Sequence, residues 1–329
     1  MQKKQEIKAS NPFVHYFQEN MGILIAFAVL CIFLGIMSNR FFTWSNWLTI
    51  LDNVSKTGFL AIGIMLCIML GGIDLIAGAG IACSGVLCVI CMERWGLPMG
   101  VGIVLGLLVG IVAGMANGAI IAYSGIHPFV VTLAMQSILR GAAYLLANAQ
   151  PVPLYVNEFY TNIGTYKLAG KVPLPIIYLL ILFFLQWLLL SKTKTGRYIY
   201  AVGGNETAAR FSGIPVEKIK ILVWTISGFL CAFAGIVLSA KMNSGQPSTS
   251  VGAETDAIAS AVLGGTSMYG GTGRTSGVII GVFIIGVISN GLTLMHMDVN
   301  WQYVVKGVII LVAVYSDMVR QRRSQARKE

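Results

Sequence analysis

The sequence predicts an all-α polytopic membrane protein with about ten transmembrane helices. Of its 329 residues, 56% are hydrophobic and only 11% are charged, whereas soluble proteins carry roughly 25% charged residues. Long apolar runs recur along the chain, and the charged residues gather at both ends and in one central stretch. The net charge of +10 therefore belongs to loops beside a membrane, and no basic stripe suited to nucleic acid is present.

Ten apolar runs are predicted to span the membrane or to be buried at its depth. A bilayer core needs ~20 apolar residues per helix, and segments enclosed by a bundle can be shorter. The second, third and eighth runs are short and interrupted by glycine, which predicts broken or re-entrant helices. We expect the first run to be a retained span because no small-residue cleavage site follows it. The runs cover residues 21–37, 57–72, 75–92, 97–123, 128–147, 172–190, 219–240, 257–267, 275–295 and 302–318.

The runs form one predicted transmembrane domain over residues 1–329. Residues 21–190 hold the first six spans and 219–318 the last four, with a polar stretch at 191–218 and a basic tail at 319–329. Most of the 23 lysines and arginines fall in the termini, the central stretch and the loops on the same side. The positive-inside rule therefore predicts that both termini and the central stretch are cytoplasmic.

The central stretch contains the signals of a short helix. Asn205 is a predicted N-cap, Glu206 places negative charge on the first turn, and Arg210 places positive charge on the last turn. The helix is expected to end near Ser212, because Gly213 supplies the left-handed residue that commonly follows a helix.

This short helix is expected to contact a partner. A helix of about two turns is below the ~12 residues needed for marginal stability alone in water, so it must pack against something. Its positions Ala208, Ala209 and Phe211 are small or apolar, and we expect them to be exposed and to lie in a groove of the partner. The predicted contact residues are Gly204, Asn205, Glu206, Ala208, Ala209, Arg210, Phe211, Ser212 and Gly213.

Segments on the opposite side of the membrane are predicted to be interfacial or loop-like. The aromatic residues within 41–56 are typical of a segment that lies at the membrane interface. Residues 149–172 and 242–252 are expected to be outer loops, since proline surrounds the first and small polar residues make up the second.

Glycine repeats every four residues in the fourth run, at Gly102, Gly106, Gly110 and Gly114. One glycine-lined face allows a neighbouring helix to approach closely, and we favour tight packing over a solute path as its role.

The sequence does not support a nucleotide site in this chain. Residues Gly270–Gly277 superficially resemble a phosphate-binding loop, but Met268 stands in place of the first glycine and Arg274 replaces the lysine. We interpret the segment as an inner turn between two helices.

Catalytic and metal chemistry are equally unsupported. The six cysteines all lie in apolar runs, where inert thiols are the favoured reading. The three histidines are scattered, and neither a Ser/His/Asp arrangement nor an HExxH motif is present. We therefore predict a protein without an enzymatic site of its own.

Three ionisable residues fall at membrane depth. Asp74 at a junction between runs is more consistent with helix capping than with a proton relay. Arg140 is expected to snorkel, to pair with a carboxylate or to line a polar cavity, and Lys306 to snorkel outward. No pair of buried carboxylates is evident, which weighs against ion-coupled transport.

Neutral polar residues within the runs are the candidates for a translocation path. Such groups could hydrogen-bond sugar hydroxyls, and hydrogen bonding between helices is the alternative for each of them. The candidates are Asn117, Thr132, Gln136, Asn290 and Thr293.

Five stretches resemble the permease subunits of bacterial ATP-binding-cassette (ABC) importers for monosaccharides, the ribose, xylose, galactoside and autoinducer-type permeases. They are GGIDLIAGAG from Gly71, NGAIIAYSGIHPFVVTLAMQSILRG from Asn117, TGRYIYAVGGNETAARFSGIPVEKIKI from Thr195, GAETDAIASAVLGGTSMYGGTGRTSG from Gly252 and WQYVVKGVIILVAV from Trp301. The resemblance covers nearly the whole chain. Because these permeases share most of the motifs, the sugar stays open.

The resemblance implies a type II ABC importer-like bundle in the bacterial cytoplasmic membrane. In that family the central stretch is the coupling loop, whose short helix fits a cleft of an ATPase subunit with two nucleotide-binding modules. ATP and Mg would be bound by that ATPase, and no cofactor is expected in this chain. Further implied partners are a second permease copy, membrane lipid and an extracytoplasmic sugar-binding protein. Candidates for docking that protein or for an outer gate are Asn243, Gln246, Glu254 and Asp256.

Two other classes remain as alternatives. A stand-alone secondary carrier or facilitator would move sugar without an ATPase, and a membrane-embedded enzyme would turn over a substrate. The isolated chain in vesicles distinguishes them by gradient-driven flux or by product formation.

Overall fold

The computed structural model describes residues 12–155, 158–168 and 170–326. The amino-terminal lysines on which part of the orientation prediction rests, and residues 327–329 of the predicted basic tail, lie outside the described residues. Within the described ranges the chain is almost entirely helical, and its order is α1 (Pro12–Met37), α2 (Trp44–Met69), α3 (Ala77–Glu93), α4 (Met99–Ser124), α5 (Pro128–Ala147), β1 (Val152–Pro153), α6 (Glu158–Thr165), β2 (Lys167–Leu168), β3 (Val172–Pro173), α7 (Leu174–Lys192), α8 (Lys194–Gly204), α9 (Glu206–Phe211), α10 (Val216–Met242), β4 (Ser244–Gly245), α11 (Ala253–Leu263), α12 (Thr275–Leu294) and α13 (Val299–Ala326).

Six of these helices are long and apolar enough to cross a membrane, namely α2, α4, α5, α7, α10 and α12. Each of the ten predicted runs overlaps one helix. The prediction of a polytopic all-α membrane protein is therefore confirmed, while the number of ten spans stays a prediction. Two of the runs predicted to be short correspond to short helices, α3 with 17 residues and α11 with 11.

The expectation that the second run is a short or broken helix was wrong, while the interfacial position of the aromatic segment stays a prediction. The run at 57–72 is the second part of one continuous helix of 26 residues, and the first part occupies most of the segment expected to lie at the interface. Thr43 caps this helix by accepting a hydrogen bond from the backbone N–H of Asn46. Phe41 is fully buried and packs edge-on against Phe42 and Trp47. The aromatic residues thus close the first turn of a long helix, in addition to any role at the interface.

Helix α10 packs against α2, α3 and α4 at the centre of the bundle. A methyl group on Gly110 of α4 would overlap the carbonyl oxygen of Gly228 and lie 2.6 Å from Cβ of Ala232. Gly114 likewise faces the backbone of Trp224. The glycine-lined face therefore serves close helix packing, as the four-residue spacing predicts.

The two predicted outer loops meet in a small antiparallel sheet. Strand β1 pairs with β4 through Val152 opposite Gly245 and Pro153 opposite Ser244. Strands β2 and β3 form a second two-stranded sheet within the first loop. These contacts hold the connection between α5 and α7 against the connection between α10 and α11.

Candidate functional site

The short helix α9 begins where its sequence predicts. The side-chain oxygen of Asn205 accepts a hydrogen bond from the backbone N–H of Ala208 at 2.9 Å. This bond satisfies one of the free N–H groups at the start of the helix, so the N-cap prediction is confirmed.

The end of α9 is fixed by a left-handed glycine. Gly213 has φ of +78°, and its N–H donates to the carbonyl of Arg210 at 3.0 Å. The N–H of Ile214 donates to the carbonyl of Ala209 at 3.1 Å. Together these two bonds form a Schellman motif, which ends the helix after Phe211.

The exposed face of α9 differs from the predicted one. Ala209 is only 4% exposed and belongs to the main hydrophobic core, so the expectation that it faces a partner was wrong. Ala208 is exposed, and the side chain of Phe211 is 88% exposed. The helix is therefore supported by its own chain on the Ala209 side and presents one large apolar side chain on the other.

Ion pairs also attach α9 to the start of α10. Glu206 pairs with Lys220 at 2.8 Å and with Arg210 at 3.4 Å, and Arg210 forms a second, shorter pair with Glu217. Hydrogen bonding to Glu217 raises the pKa of Arg210 above its ordinary value. Ion pairs at the surface contribute little to stability, so their main effect is to orient α9 on α10.

Three backbone segments meet beside the junction of α8 and α9, and we call this meeting point the glycine contact. It joins Met69 at the end of α2, Gly203 in α8, and Gly270 and Gly271 in the loop before α12. The N–H of Gly271 donates to the carbonyl of Met69 at 2.9 Å. A methyl group on Gly203 would overlap the Met69 carbonyl oxygen and lie 2.8 Å from the Gly271 nitrogen. Only glycine at position 203 permits this approach.

A side-chain hydrogen bond reinforces the same contact. The hydroxyl of Tyr200 on α8 donates to the carbonyl of Gly273 at 2.7 Å. Gly270 and Gly271 adopt φ of +85° and +71°, which glycine tolerates without strain. The segment that superficially resembles a phosphate loop is thus a turn packed on α2 and α8. Sequence reasoning missed this partner, although the glycine pairs at 203–204 and 270–271 were a usable signal.

The predicted path residues have different environments in the structure. Asn117 is fully buried, and neither atom of its amide has a hydrogen-bond partner within the described part of the chain. Thr132 donates to the carbonyl of Ile73 at 2.9 Å, and Gln136 donates to Glu254 at 3.2 Å. Of these three, Asn117 is the one whose side chain makes no hydrogen bond to the described residues.

The other two path candidates lie on α12. Asn290 and Asn46 exchange two amide hydrogen bonds, of 2.9 and 3.0 Å, across α12 and α2. Thr293 is exposed, and its hydroxyl donates to the carbonyl of Ser289 in the same helix at 2.9 Å. The Asn290 pair therefore joins two helices, which is the alternative role that the sequence left open.

A polar network occupies one end of the bundle around α5, α11 and α13. Arg140 donates to the carbonyls of Pro247 and Thr249 at 2.7 and 2.9 Å, so it binds the loop before α11. Lys306 pairs with Asp256 at 2.8 Å. The carboxylate from α11 gives Lys306 an ion-pair partner that the sequence did not predict, and outward snorkelling stays a prediction.

Two carboxylates are buried, contrary to the expectation from sequence. Asp74 is fully buried, and its Oδ1 accepts from the N–H of Ile76 at 3.1 Å, which agrees with a local capping role. Glu254 is 8% exposed. One oxygen of each carboxylate has no hydrogen-bond partner among the described residues.

The remaining candidates for docking or gating lie in the loop after α10. Asn243 is exposed and accepts a hydrogen bond from the hydroxyl of Thr161 at 2.7 Å. Gln246 is half-buried and lines a small cavity of about 10 Å³. The structure thus places Asn243 and Gln246 on the loop, and Glu254 and Asp256 in the adjoining polar network.

Comparison with known proteins places this architecture in a family. Residues 46–314 match the family described as branched-chain amino acid transport system / permease component. The ribose import permease of Escherichia coli K12 is 39% identical over 91% of this chain and 93% of its own length, and that of Haemophilus influenzae is 38% identical over 94% and 96%. The D-allose transport system permease of Escherichia coli is 35% identical over 95% and 96%. No solved structure matches the chain. With a family match over most of its length, and six helices among its described residues that are long and apolar enough to cross a membrane, the chain belongs to this family of multi-pass transport-system permease components.

Proposed function

We propose that this chain is the permease subunit of an ABC importer for a monosaccharide, with ribose as the first candidate. The proposal is supported by relatives that are named ribose import permeases and that align with nearly the whole chain. Relatives named for D-allose and L-arabinose are 35% and 37% identical, so these sugars are the next candidates. In this proposal the chain forms the path, and a separate ATPase subunit binds ATP and Mg.

The observation that carries the proposal is the exposed side chain of Phe211 on a helix that is capped at both ends and packed against α10. Large apolar side chains on aqueous loops commonly mark protein interfaces. The adjoining core contact at Ala209 and the ion pairs to α10 hold α9 rigidly, so a force on Phe211 would act on the bundle. We propose that residues 191–218 are the cytoplasmic coupling loop and that α9 contacts the ATPase through its exposed residues, Ala208 and Phe211 above all.

Further parts of the assembly follow from the same proposal. Two copies of the chain would enclose the path in the bacterial cytoplasmic membrane, with both termini in the cytoplasm. A sugar-binding protein would dock outside, at the end of the bundle that holds the loop at 243–252 and the start of α11. We retain Asn117 and Gln136 as the leading path residues. The amide of Asn117 makes no hydrogen bond to the described residues, and Gln136 donates to Glu254, whose second carboxylate oxygen has no partner among them.

The test replaces Phe211 and compares it with an equally exposed aromatic residue elsewhere. Phe211→Asp places a charge in the proposed ATPase contact, whereas Phe159→Asp changes a side chain that is 81% exposed on α6. Each variant is reconstituted with its ATPase and loaded binding protein, and ribose uptake and ribose-stimulated ATP hydrolysis are measured. We expect Phe211→Asp to abolish both and Phe159→Asp to retain both. Equal rates for the two variants would contradict the coupling role of α9.

A second candidate function is a stand-alone secondary carrier, and the buried carboxylates favour it. Asp74 and Glu254 are ionisable groups at membrane depth, which ion-coupled carriers commonly use. The chain alone in vesicles distinguishes the two functions. Ribose flux driven by a proton or sodium gradient would support the carrier, and absence of flux until ATPase and ATP are added would support the importer.

A further inference from the structure

A polar cavity lies between the middle of α2, the first turn of α7 and the last turns of α10, and neither α9 nor a proposed path residue lines it. It has a volume of about 70 Å³ and is lined on its polar side by Asp52, Asn53, Lys56 and Lys241. One water needs about 10–15 Å³ of such space. The cavity is therefore large enough for a small oxoanion or for several waters.

The charges around this cavity do not balance. Asp52 forms an ion pair with Lys241, and Asp256 forms one with Lys306 at 2.8 Å. Lys56 interacts electrostatically with Asp256, Lys306 and Lys241. Three ammonium groups thus face two carboxylates that already have partners, which leaves one positive charge in excess.

Lys56 carries that excess charge. It is half-buried, and no carboxylate or carbonyl of the residues that the structure describes accepts a hydrogen bond from its ammonium. Water in the cavity can solvate this ammonium, but no protein group among the described residues pairs with it. An anion that enters the cavity would replace that water with a charge-assisted hydrogen bond to Lys56.

The position of the cavity suggests where such an anion could come from. Pro175 in the first turn of α7 and Lys241 near the last residue of α10 both line it, so it lies at one membrane face. The adjacent helix α7 exposes a row of apolar side chains, including Leu180 at 63%, Ile181 at 51% and Phe184 at 58%. A basic pocket next to a lipid-facing helix suits a lipid headgroup, and the same pocket suits a dissolved ion.

We propose that this cavity is a phosphate-type anion site in which Lys56 pairs with a phosphate oxygen. The occupant is either inorganic phosphate or the phosphodiester of a lipid headgroup. Lys241 supplies a second hydrogen-bond donor, and its ion pair with Asp52 offsets part of the positive charge of the site. The site does not depend on which solute the chain transports.

The test measures thermal unfolding of the full chain in detergent with three probes. Inorganic phosphate is compared with chloride at equal ionic strength, and phosphatidylglycerol is compared with diacylglycerol, which has the same chains without phosphate. We expect phosphate or phosphatidylglycerol to raise the melting temperature and diacylglycerol not to. A response to phosphate assigns the site to a dissolved ion, and a response to phosphatidylglycerol alone assigns it to lipid. Equal melting temperatures within both pairs of probes would overturn the proposal.

Matched variants locate the response at the cavity. Lys56→Gln is expected to weaken the apparent affinity at least about tenfold, since a charge-assisted hydrogen bond is lost. Lys171→Gln removes the same charge from an exposed position in the turn between β2 and β3 and should bind as the parent does. Asp52→Asn frees Lys241 and should tighten binding. Equal binding by Lys56→Gln and the parent, or weaker binding by Asp52→Asn, would refute the assignment.

Discussion

The glycine contact predicts that one added methyl group pushes α8, and with it the adjoining α9, away from the end of α2. In Gly203→Ala the new carbon would overlap the carbonyl oxygen of Met69 and lie 2.9 Å from its carbonyl carbon. Carbon atoms in favourable contact are about 3.5–4.0 Å apart, and the overlap with the carbonyl oxygen is closer still, so α8 must move away from the end of α2 by at least about 1 Å. The neighbouring Gly204 has open space around its position, so Gly204→Ala is a matched control.

The size of the effect follows from the cost of overpacking. Extra methylenes in packed regions cost about 1–3 kcal/mol, and backbone atoms on the opposing side place Gly203→Ala at the upper end of that range. About 1.4 kcal/mol corresponds to a tenfold change in an equilibrium constant. A loss of this size in the coupled conformation therefore lowers the transport rate by roughly tenfold to a hundredfold. Gly204→Ala should transport within about twofold of the parent, because alanine is favourable in a helix.

Transport and ATP hydrolysis are measured together in the reconstituted complex. If the glycine contact transmits movement from α9 to α2, Gly203→Ala lowers ribose uptake much more than it lowers stimulated ATP hydrolysis. Tyr200→Phe tests the same contact without overpacking, because it only removes the hydrogen bond to Gly273. Equal uptake by Gly203→Ala and Gly204→Ala, with Tyr200→Phe also at the parental rate, would refute transmission through this contact.

Three further substitutions test the helix end and the polar contacts of the bundle. Gly213→Ala forces a side chain into the left-handed conformation and should destabilise the coupling loop by about 1–2 kcal/mol, measured as faster hydrogen exchange in α9 while α10 keeps its protection. Asn46→Leu leaves the amide of Asn290 buried without its partner and should lower the unfolding free energy by about 1–3 kcal/mol, whereas the double replacement of both asparagines by leucine should recover part of that loss. Lys306→Met removes the ion-pair partner of Asp256 and should lower the melting temperature more than Lys306→Arg does. Equal melting temperatures of the two variants would show that the ion pair does not stabilise the fold.

Local signals in the sequence predicted helix α9 well. The N-cap bond of Asn205 and the Schellman bonds around Gly213 depend on residues within five positions of one another, so their geometry is encoded in a short segment. Apolar runs predicted the positions of the long helices, apart from the first half of α2, for a similar reason. Burial in lipid or protein requires that backbone hydrogen bonds be satisfied within the segment itself.

The errors came from contacts between distant segments. Ala209 was expected to face a partner because it is small and apolar, but such a residue fits equally well against its own core. Lys306 was expected to snorkel outward with no partner named, and its ion-pair partner Asp256 is 50 residues away. Neither outcome can be read from local pattern, because both depend on which helices become neighbours.

The glycines of the glycine contact have no definite structural role in the sequence but a specific one in the fold. Pairs of glycines at 203–204 and 270–271 are compatible with flexible turns anywhere on the surface. In the bundle, however, Gly203 and Gly271 both face Met69, and the backbone bond at 2.9 Å fixes the loop against the end of α2. Movement of α9 would therefore reach α2 through backbone atoms, which cannot change rotamer to absorb it. This rigidity is why a single methyl group at position 203 should impair coupling, while one at position 204 should not.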